Sequence, residues 1–294
     1  MNRERTIRIG TRGSQLALVQ ADMVIDALKQ KFPNLKIEKI ILRTQGDKIL
    51  DKPLADFGGK GAFITEFEEA LLEGTIDLAV HSAKDMPMVL SDGLLIAGVM
   101  PRGDVRDVLV TKKGCQSEEI RVGTGSLRRQ FQLKLHYPNV HCSPVRGNVP
   151  TRMKKVLEGE FDGAVLAAAG LERLKLTREE KFNYRYFSHE EMIPAGGQGI
   201  IAIEGRKNDE ISQMVQEISH RNTWLELETE RKILELLNVG CNEAIGVISQ
   251  VCDDWIKIRI AGEISGKIYR KSGSAEVDKR MELAESLVFQ IKNI

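Results

Sequence analysis

A short apolar run, a tight glycine turn and a helix-opening serine occur twice, as Gly10-Thr11-Arg12-Gly13-Ser14 and Gly123-Thr124-Gly125-Ser126. The first turn joins a strand-like run, Thr6 to Gly10, to a helical pattern over Ser14 to Gln30, with Leu16, Val19, Met23 and Ala27 on one face. The second joins Ile120 to Gly123 to a helix over Leu127 to His136. A strand–turn–helix unit repeated about a domain's length apart predicts two similar α/β lobes, with two helix N-termini across a cleft.

The rest of the chain fits that frame. Strand-like runs fall around Lys36 to Thr44, Ile76 to Val80, Leu94 to Val99, Asp107 to Thr111, Val140 to Val145 and Phe161 to Ala167. Helices are expected over Phe63 to Glu73, with Phe63, Phe67, Ala70 and Leu71 inward, and after Pro150, a good first-turn residue. This alternation predicts mainly parallel sheets. Pro101-Arg102-Gly103-Asp104 and Pro194-Ala195-Gly196-Gly197-Gln198-Gly199 read as two crossings, the second returning to the first lobe through a strand Ile200 to Glu204. A helix over Asn222 to Asn238, strands around Ala244 to Val251, Trp255 to Ala261 and Lys267 to Ser272, and an amphipathic helix from Glu276 to Lys292 form a small α+β domain. The expected domains are residues 1–99 with 196–217, residues 100–195, and residues 218–294.

The 43 basic and 42 acidic side chains nearly cancel, so no global field favours nucleic acid or an anionic membrane. No signal-peptide core or membrane-length apolar stretch is visible, and Cys115, Cys142, Cys241 and Cys252 form no CxxC pair or metal-like spacing. The expectation is a cytoplasmic chain with free thiols and no metal. The absence of a GxxxxGK[ST] loop counts against phosphoryl transfer.

Helix N-termini present unpaired N–H groups and a positive dipole end, so both turns are ready anion sites. Arg12 lies in the first turn; Arg128 and Arg129 follow Ser126, the expected N-cap, where the dipole opposes them. Singly, each arginine reads as solvated or paired with a nearby acid rather than as a ligand contact. As a set, Arg12, Lys60, Lys84, Arg128, Arg129, Arg146 and Arg152 all fall at strand ends or first helical turns, the ligand-binding edge of open α/β sheets. Each shielded guanidinium–carboxylate contact contributes ~1.5–3 kcal/mol, so a substrate with several carboxylates suits them. Asp85, in His81-Ser82-Ala83-Lys84-Asp85-Met86-Pro87, is either a turn cap that neutralises its neighbours or a general acid/base that stabilises a developing cation. Cys241, between a long helix and a strand, is either structural or a presented thiol. A non-catalytic two-lobed module binding a small anion would use the same arginines without Asp85 or Cys241.

In this order, Thr11-Arg12-Gly13-Ser14, Gly58-Gly59-Lys60-Gly61, the His81 to Pro87 run, Gly123 to Gln130, Arg146-Gly147-Asn148 and Gly197-Gln198-Gly199 make a specific set. The chain resembles the hydroxymethylbilane synthase (porphobilinogen deaminase) family over nearly its whole length. The resemblance implies two lobes like type 2 periplasmic binding proteins, and a small α+β C-terminal domain that carries a cofactor cysteine. It implies one covalent dipyrromethane on Cys241, porphobilinogen as substrate and a monomer. Asp85 would assist loss of ammonia and stabilise the resulting electrophile. Lys84, Ser14, Ser126, Arg128 and Arg129 would hold the cofactor; Arg12, Lys60, Arg146, Arg152, Arg173 and Gln198 would serve the incoming ring. The chain departs from the family pattern at Val239 and at Asn242-Glu243-Ala244, beside the cysteine, which bears on that loop's conformation and on cofactor loading.

Overall fold

In chain order the elements begin with β1 (Thr6–Arg12), α1 (Gln15–Lys31), β2 (Lys36–Leu42), α2 (Thr65–Leu72), β3 (Leu78–Ser82) and β4 (Leu94–Val99). There follow β5 (Asp107–Lys112), β6 (Ile120–Gly123), α3 (Leu127–His136), β7 (Val140–Ser143), α4 (Val149–Leu157), β8 (Gly163–Ala167), α5 (Ala168–Arg173) and β9 (Phe182–Tyr186). The chain continues with β10 (Ile201–Arg206), α6 (Glu210–Gln216), α7 (Arg221–Leu237), β11 (Gly246–Cys252), β12 (Trp255–Ile264), β13 (Lys267–Glu276) and α8 (Arg280–Lys292). This computed structural model describes residues 6–43, 64–115, 120–238, 243–264 and 266–293. Lys60 with its glycine loop, Phe63 and Cys241 lie outside the described residues. The chain divides into two units, Met1–Arg102 with Ile200–Trp224, and Gly103–Gly199 with Leu225–Ile294.

In the first unit α1 opens on Ser14, whose Oγ accepts the Ala17 N–H at 3.3 Å. It stops at Phe32, before Pro33, and Lys29 and Lys31 in its last turn complement the carbonyl end of the dipole. Its buried line is Gln20, Ala21, Val24 and Leu28 rather than Leu16, Val19, Met23 and Ala27, and Met23 is exposed. Apolar residues occur nearly all round this helix, so their spacing left its rotation open, and the Gln20 Nε2 bond to Ser82 Oγ at 3.0 Å marks the inward side. α2 buries Phe67, Ala70 and Leu71 as its pattern predicts.

The sheet of this unit has the order β2-β1-β3-β10-β4, and that of the second unit β7-β6-β8-β5-β9. β1 runs parallel to β2 and β3, whereas β10 is antiparallel to β3 and β4. Likewise β6 is parallel to β7 and β8, and β5 is antiparallel to β8 and β9. The sheets are therefore mixed, not mainly parallel. β5 and β10 are the first strands after the chain's first two passages between units; neither follows a crossover helix in its own sheet, so the parallel βαβ rule does not set its direction. Gly10 pairs with Ala79 as Gly123 pairs with Ala164, so the two sheets have the same internal register. In the first unit Ile7, Ile9, Val24, Leu28, Leu78 and Ile203 pack one face of the sheet, and Phe67, Leu71 and Ile76 form a separate cluster.

The second unit also contains the antiparallel sheet β11-β12-β13, whose core includes Ile233 and Leu237 of α7 and Leu287 and Val288 of α8. The last helix starts at Arg280, later than its apolar pattern implies. Glu276 is still paired with Trp255 at the end of β13, and a 3-10 turn, Val277–Lys279, intervenes. The structure adds β9, α5 and α6, three short elements whose spacing is too brief to read. No helix among the described residues is long and apolar enough to cross a membrane.

Candidate active site

In the first unit the site residues gather at the C-terminal ends of β1 and β3. Arg12, the last residue of β1, is half-buried, and Ser14 caps α1. Thr11, fully buried, donates from Oγ1 to the Ala17 carbonyl at 3.1 Å and so ties the turn to the helix. After β3 the chain makes a 3-10 turn, Ala83–Asp85, held by Ala83 N–H to the Ile200 carbonyl at 3.0 Å and Met86 N–H to the Ala83 carbonyl at 3.2 Å. Ala83 and Met86 are buried anchors, while Lys84 is half-buried and Asp85 exposed. The turn thus presents the carboxylate outward from a fixed base. Beneath it, His81 and Glu204 form a buried pair, Nε2 to Oε2, at 2.9 Å.

In the second unit Ser126 caps α3 by accepting the Arg129 N–H at 3.4 Å, and no acid occupies the first turn. Arg128 and Arg129 are only 5% and 6% exposed. Both turn onto Asp107: Arg128 Nη1 lies 2.7 Å from Oδ2, and Arg129 Nε and Nη2 lie 2.9 and 2.7 Å from Oδ1. Their Nη1 atoms also donate to the carbonyls of Ile193 and Val165, at 2.9 and 2.8 Å. Burial alone would raise the Asp107 carboxyl, but the two guanidiniums outweigh it and hold the group well below the usual carboxylate range. Burial pulls the Arg128 guanidinium down, against the attraction of Asp107.

The remaining candidates line nearby turns of this unit. Arg146 is half-buried ahead of Gly147, whose φ of 107° requires glycine. Asn148 caps α4, and Arg152 folds back so that its Nε donates to the Gly147 carbonyl at 2.8 Å. Arg173 donates to the Gly199 carbonyl at 2.6 Å, and its guanidinium is lowered by burial. Gln198, fully buried, donates to the Val105 carbonyl at 2.7 Å and to Asp107 Oδ1 at 3.1 Å.

Sequence reasoning missed Asp107, read only as a strand start, although an acid opening an otherwise apolar buried strand was the available signal. It also missed Glu230, a buried carboxylate on α7 that accepts the Gly197 N–H at 2.7 Å and the Ser249 N–H at 2.8 Å. Glu230 ties the segment carrying Gln198 to the helix that precedes Cys241.

A dipyrromethane bears an acetate and a propionate on each ring, so a protein that holds it needs several fixed cations and N–H donors. The start of α3 has that donor set, and Arg128 Nε is a buried donor with no acceptor among the described residues. Gly125 has open space where a side chain would stand. The residues present fit the group.

The family model described as "Porphobilinogen deaminase, dipyromethane cofactor binding domain" matches residues 7–214. Curated relatives named porphobilinogen deaminase include that of Clostridium acetobutylicum, 40% identical, with 97% of this chain and 98% of the relative covered. Those of Syntrophobacter fumaroxidans and Acetivibrio thermocellus are 41% and 40% identical, with 96% and 97% of this chain and 96% and 97% of each relative covered. With strand-end cations, an exposed Asp85 and a similarity that runs through all three sheets, this chain belongs to the porphobilinogen deaminase family.

Proposed function

We propose that this chain is a cytoplasmic monomer that joins four porphobilinogen units head to tail, with loss of ammonia, on a primer attached to Cys241, and releases the linear tetrapyrrole by hydrolysis. The observation that carries the reading is 40% identity across 97% of the chain to a porphobilinogen deaminase. On this reading the domains are residues 1–99 with 196–217, residues 100–195, and residues 218–294, the last carrying the cysteine.

When bound, the dipyrromethane supplies the pyrrole α-carbon to which the first unit is joined. Asp85 accepts the N–H of the reacting pyrrole and stabilises the positive charge that develops as the carbon–nitrogen bond to ammonia breaks. Its buried anchors, Ala83 and Met86, keep the carboxylate from following the charge as it moves. Lys84, Ser14, Ser126, Arg128 and Arg129 hold the cofactor's carboxylates; Arg12, Lys60, Arg146, Arg152, Arg173 and Gln198 receive those of the incoming ring. Fixed guanidiniums suit this task because planar carboxylates bind them bidentately.

Intact mass of the purified protein beside Cys241→Ser tests the reading. An excess equal to two linked pyrroles, present only with Cys241, is expected; an unmodified parent expressed with ample porphobilinogen would leave an anion-binding module in its place. Asp85→Ala should lose at least about a hundred-fold in turnover while retaining its far-UV spectrum and thermal midpoint, and normal turnover would remove Asp85 from the mechanism.

A further inference from the structure

Counted from the capping serines Ser14 and Ser126, Arg128 and Arg129 occupy the helix positions that Leu16 and Ala17 hold in the first unit, and Gln132 that of Gln20. Counted along the paired strands, Asp107 occupies the position of Ile201, since Asp107 pairs with Ala167 at the end of β8 and Ile201 with Ser82 at the end of β3. One scaffold thus carries an apolar set in one lobe and a carboxylate with two guanidiniums in the other.

The apolar set shows that this arrangement folds without charge. Burying ions costs desolvation that even good pairing barely offsets, and apolar replacement of a buried ion cluster is often neutral or stabilising. The fold therefore gives no reason for the charges, whereas their geometry does. Both oxygens of Asp107 are engaged, by Arg128 at 2.7 Å, by Arg129 at 2.9 and 2.7 Å and by Gln198 at 3.1 Å. The bonds to Ile193 and Val165 pin the other ends of the guanidiniums. A single carboxylate against two guanidiniums leaves the cluster positive, and Arg128 Nε keeps an unused donor among the described residues.

We propose that Asp107 is a positioning residue, which holds Arg128 and Arg129 in the orientation that receives the carboxylates of the pyrrole cofactor and ties Gln198 to the same point. The proposal rests on the reading that these two arginines hold the cofactor. Asp107 contacts neither cofactor nor substrate; it acts through the guanidiniums.

The test compares thermal midpoint with the fraction of protein carrying the two-pyrrole mass, after expression with ample porphobilinogen. The triple variant Asp107→Ile, Arg128→Leu, Arg129→Ala installs the first lobe's residues; it is expected to melt near the parent and to carry no adduct. If it loads fully, the arginines do not hold the cofactor and the underlying reading falls. Asp107→Asn, with both arginines kept, is expected to lower the loaded fraction at limiting porphobilinogen by about ten-fold. If it loads like the parent while the triple variant stays empty, the reading stands and the positioning role is overturned. Should Asp107→Asn prove insoluble, Asp107→Glu decides: it retains the charge and moves it, so reduced loading supports positioning, and parental loading shows that charge alone suffices and refutes it.

Discussion

In the first lobe Arg8 grips Asp77 through its backbone N–H at 2.9 Å, Nε at 3.1 Å and Nη2 at 3.1 Å, and its Nη2 also reaches the Gly74 carbonyl at 2.6 Å. In the second lobe Arg121 makes the same set, to Asp162 at 2.8, 3.1 and 3.0 Å and to the Gly159 carbonyl at 3.1 Å. Gly74 and Gly159 each follow a helix in the left-handed region, with φ of 71° and 80°. The two clamps differ in surroundings. Asp77 is wholly buried and shared with Arg206 at 3.2 Å, whereas Asp162 is 25% and Arg121 56% exposed.

Inside the sheets the lobes diverge more sharply. His81 and Glu204 pair in the first, where register places the apolar Leu166 and Val110 in the second. The second buries Asp107, Arg128 and Arg129 where the first has Ile201, Leu16 and Ala17. The clamps at the N-terminal strand ends belong to a common scaffold. The buried charge nearer the C-terminal ends, where the proposed chemistry occurs, is specific to each lobe.

The equivalence can be broken most sharply at the His81–Glu204 pair. His81→Leu alone leaves a carboxylate buried without its partner and should lower unfolding free energy by about 3 kcal/mol. His81→Leu combined with Glu204→Val installs the second lobe's residues and should recover to within about 1 kcal/mol of the parent. Urea denaturation reads both, and a double variant as weak as the single would show that the two sheets are not interchangeable there.

The clamps sharpen the contrast of burial. Asp77→Ala removes the carboxylate that Arg8 holds through its guanidinium and backbone N–H, and one of the partners of Arg206, which keeps Asp209; a loss of about 2 kcal/mol is expected, while Asp162→Ala should lose less than about 1 kcal/mol because water screens its pair. Equal losses would mean that exposure does not distinguish the clamps. Burial alone would raise the Asp77 carboxyl, but the Arg8 bonds outweigh it; the Arg121 bonds lower Asp162. Both folded values lie below the unfolded one, so this stabilisation is complete above about pH 4 and fades as pH falls through the folded values. A thermal midpoint that falls below about pH 4 is expected, with a shallower acid limb in Asp77→Ala. The smallest and most symmetrical effect is at the caps. Ser14→Ala and Ser126→Ala should each cost about 1 kcal/mol by the same denaturation measurement, and a marked inequality would mean that one serine does more than cap.

Features written in neighbouring residues were legible in advance. The bounds of β4, β6 and α3 and the capping Ser126 follow from apolar runs and turn chemistry within a few positions. So do the positions of Arg12 and Lys84 at or just after strand ends and of Arg128 and Arg129 in a first helical turn, because these depend only on where strands and helices begin and end. The buried side of α1 was misread, since the choice among its apolar lines depends on Ser82, 62 residues away. Asp107 was overlooked because its partners lie 21, 22 and 91 residues further along the chain.

The repeated strand–turn–helix and the family could be read from the chain alone, because each is carried by local pattern or by motifs in a set order. Only the tertiary structure decided that β5 and β10 enter their sheets antiparallel, and that two arginines predicted to face a ligand also share one buried carboxylate. Strand direction and ion pairing depend on which distant segments meet, and burial, which sets the strength of a charge pair, is a property of the assembled core.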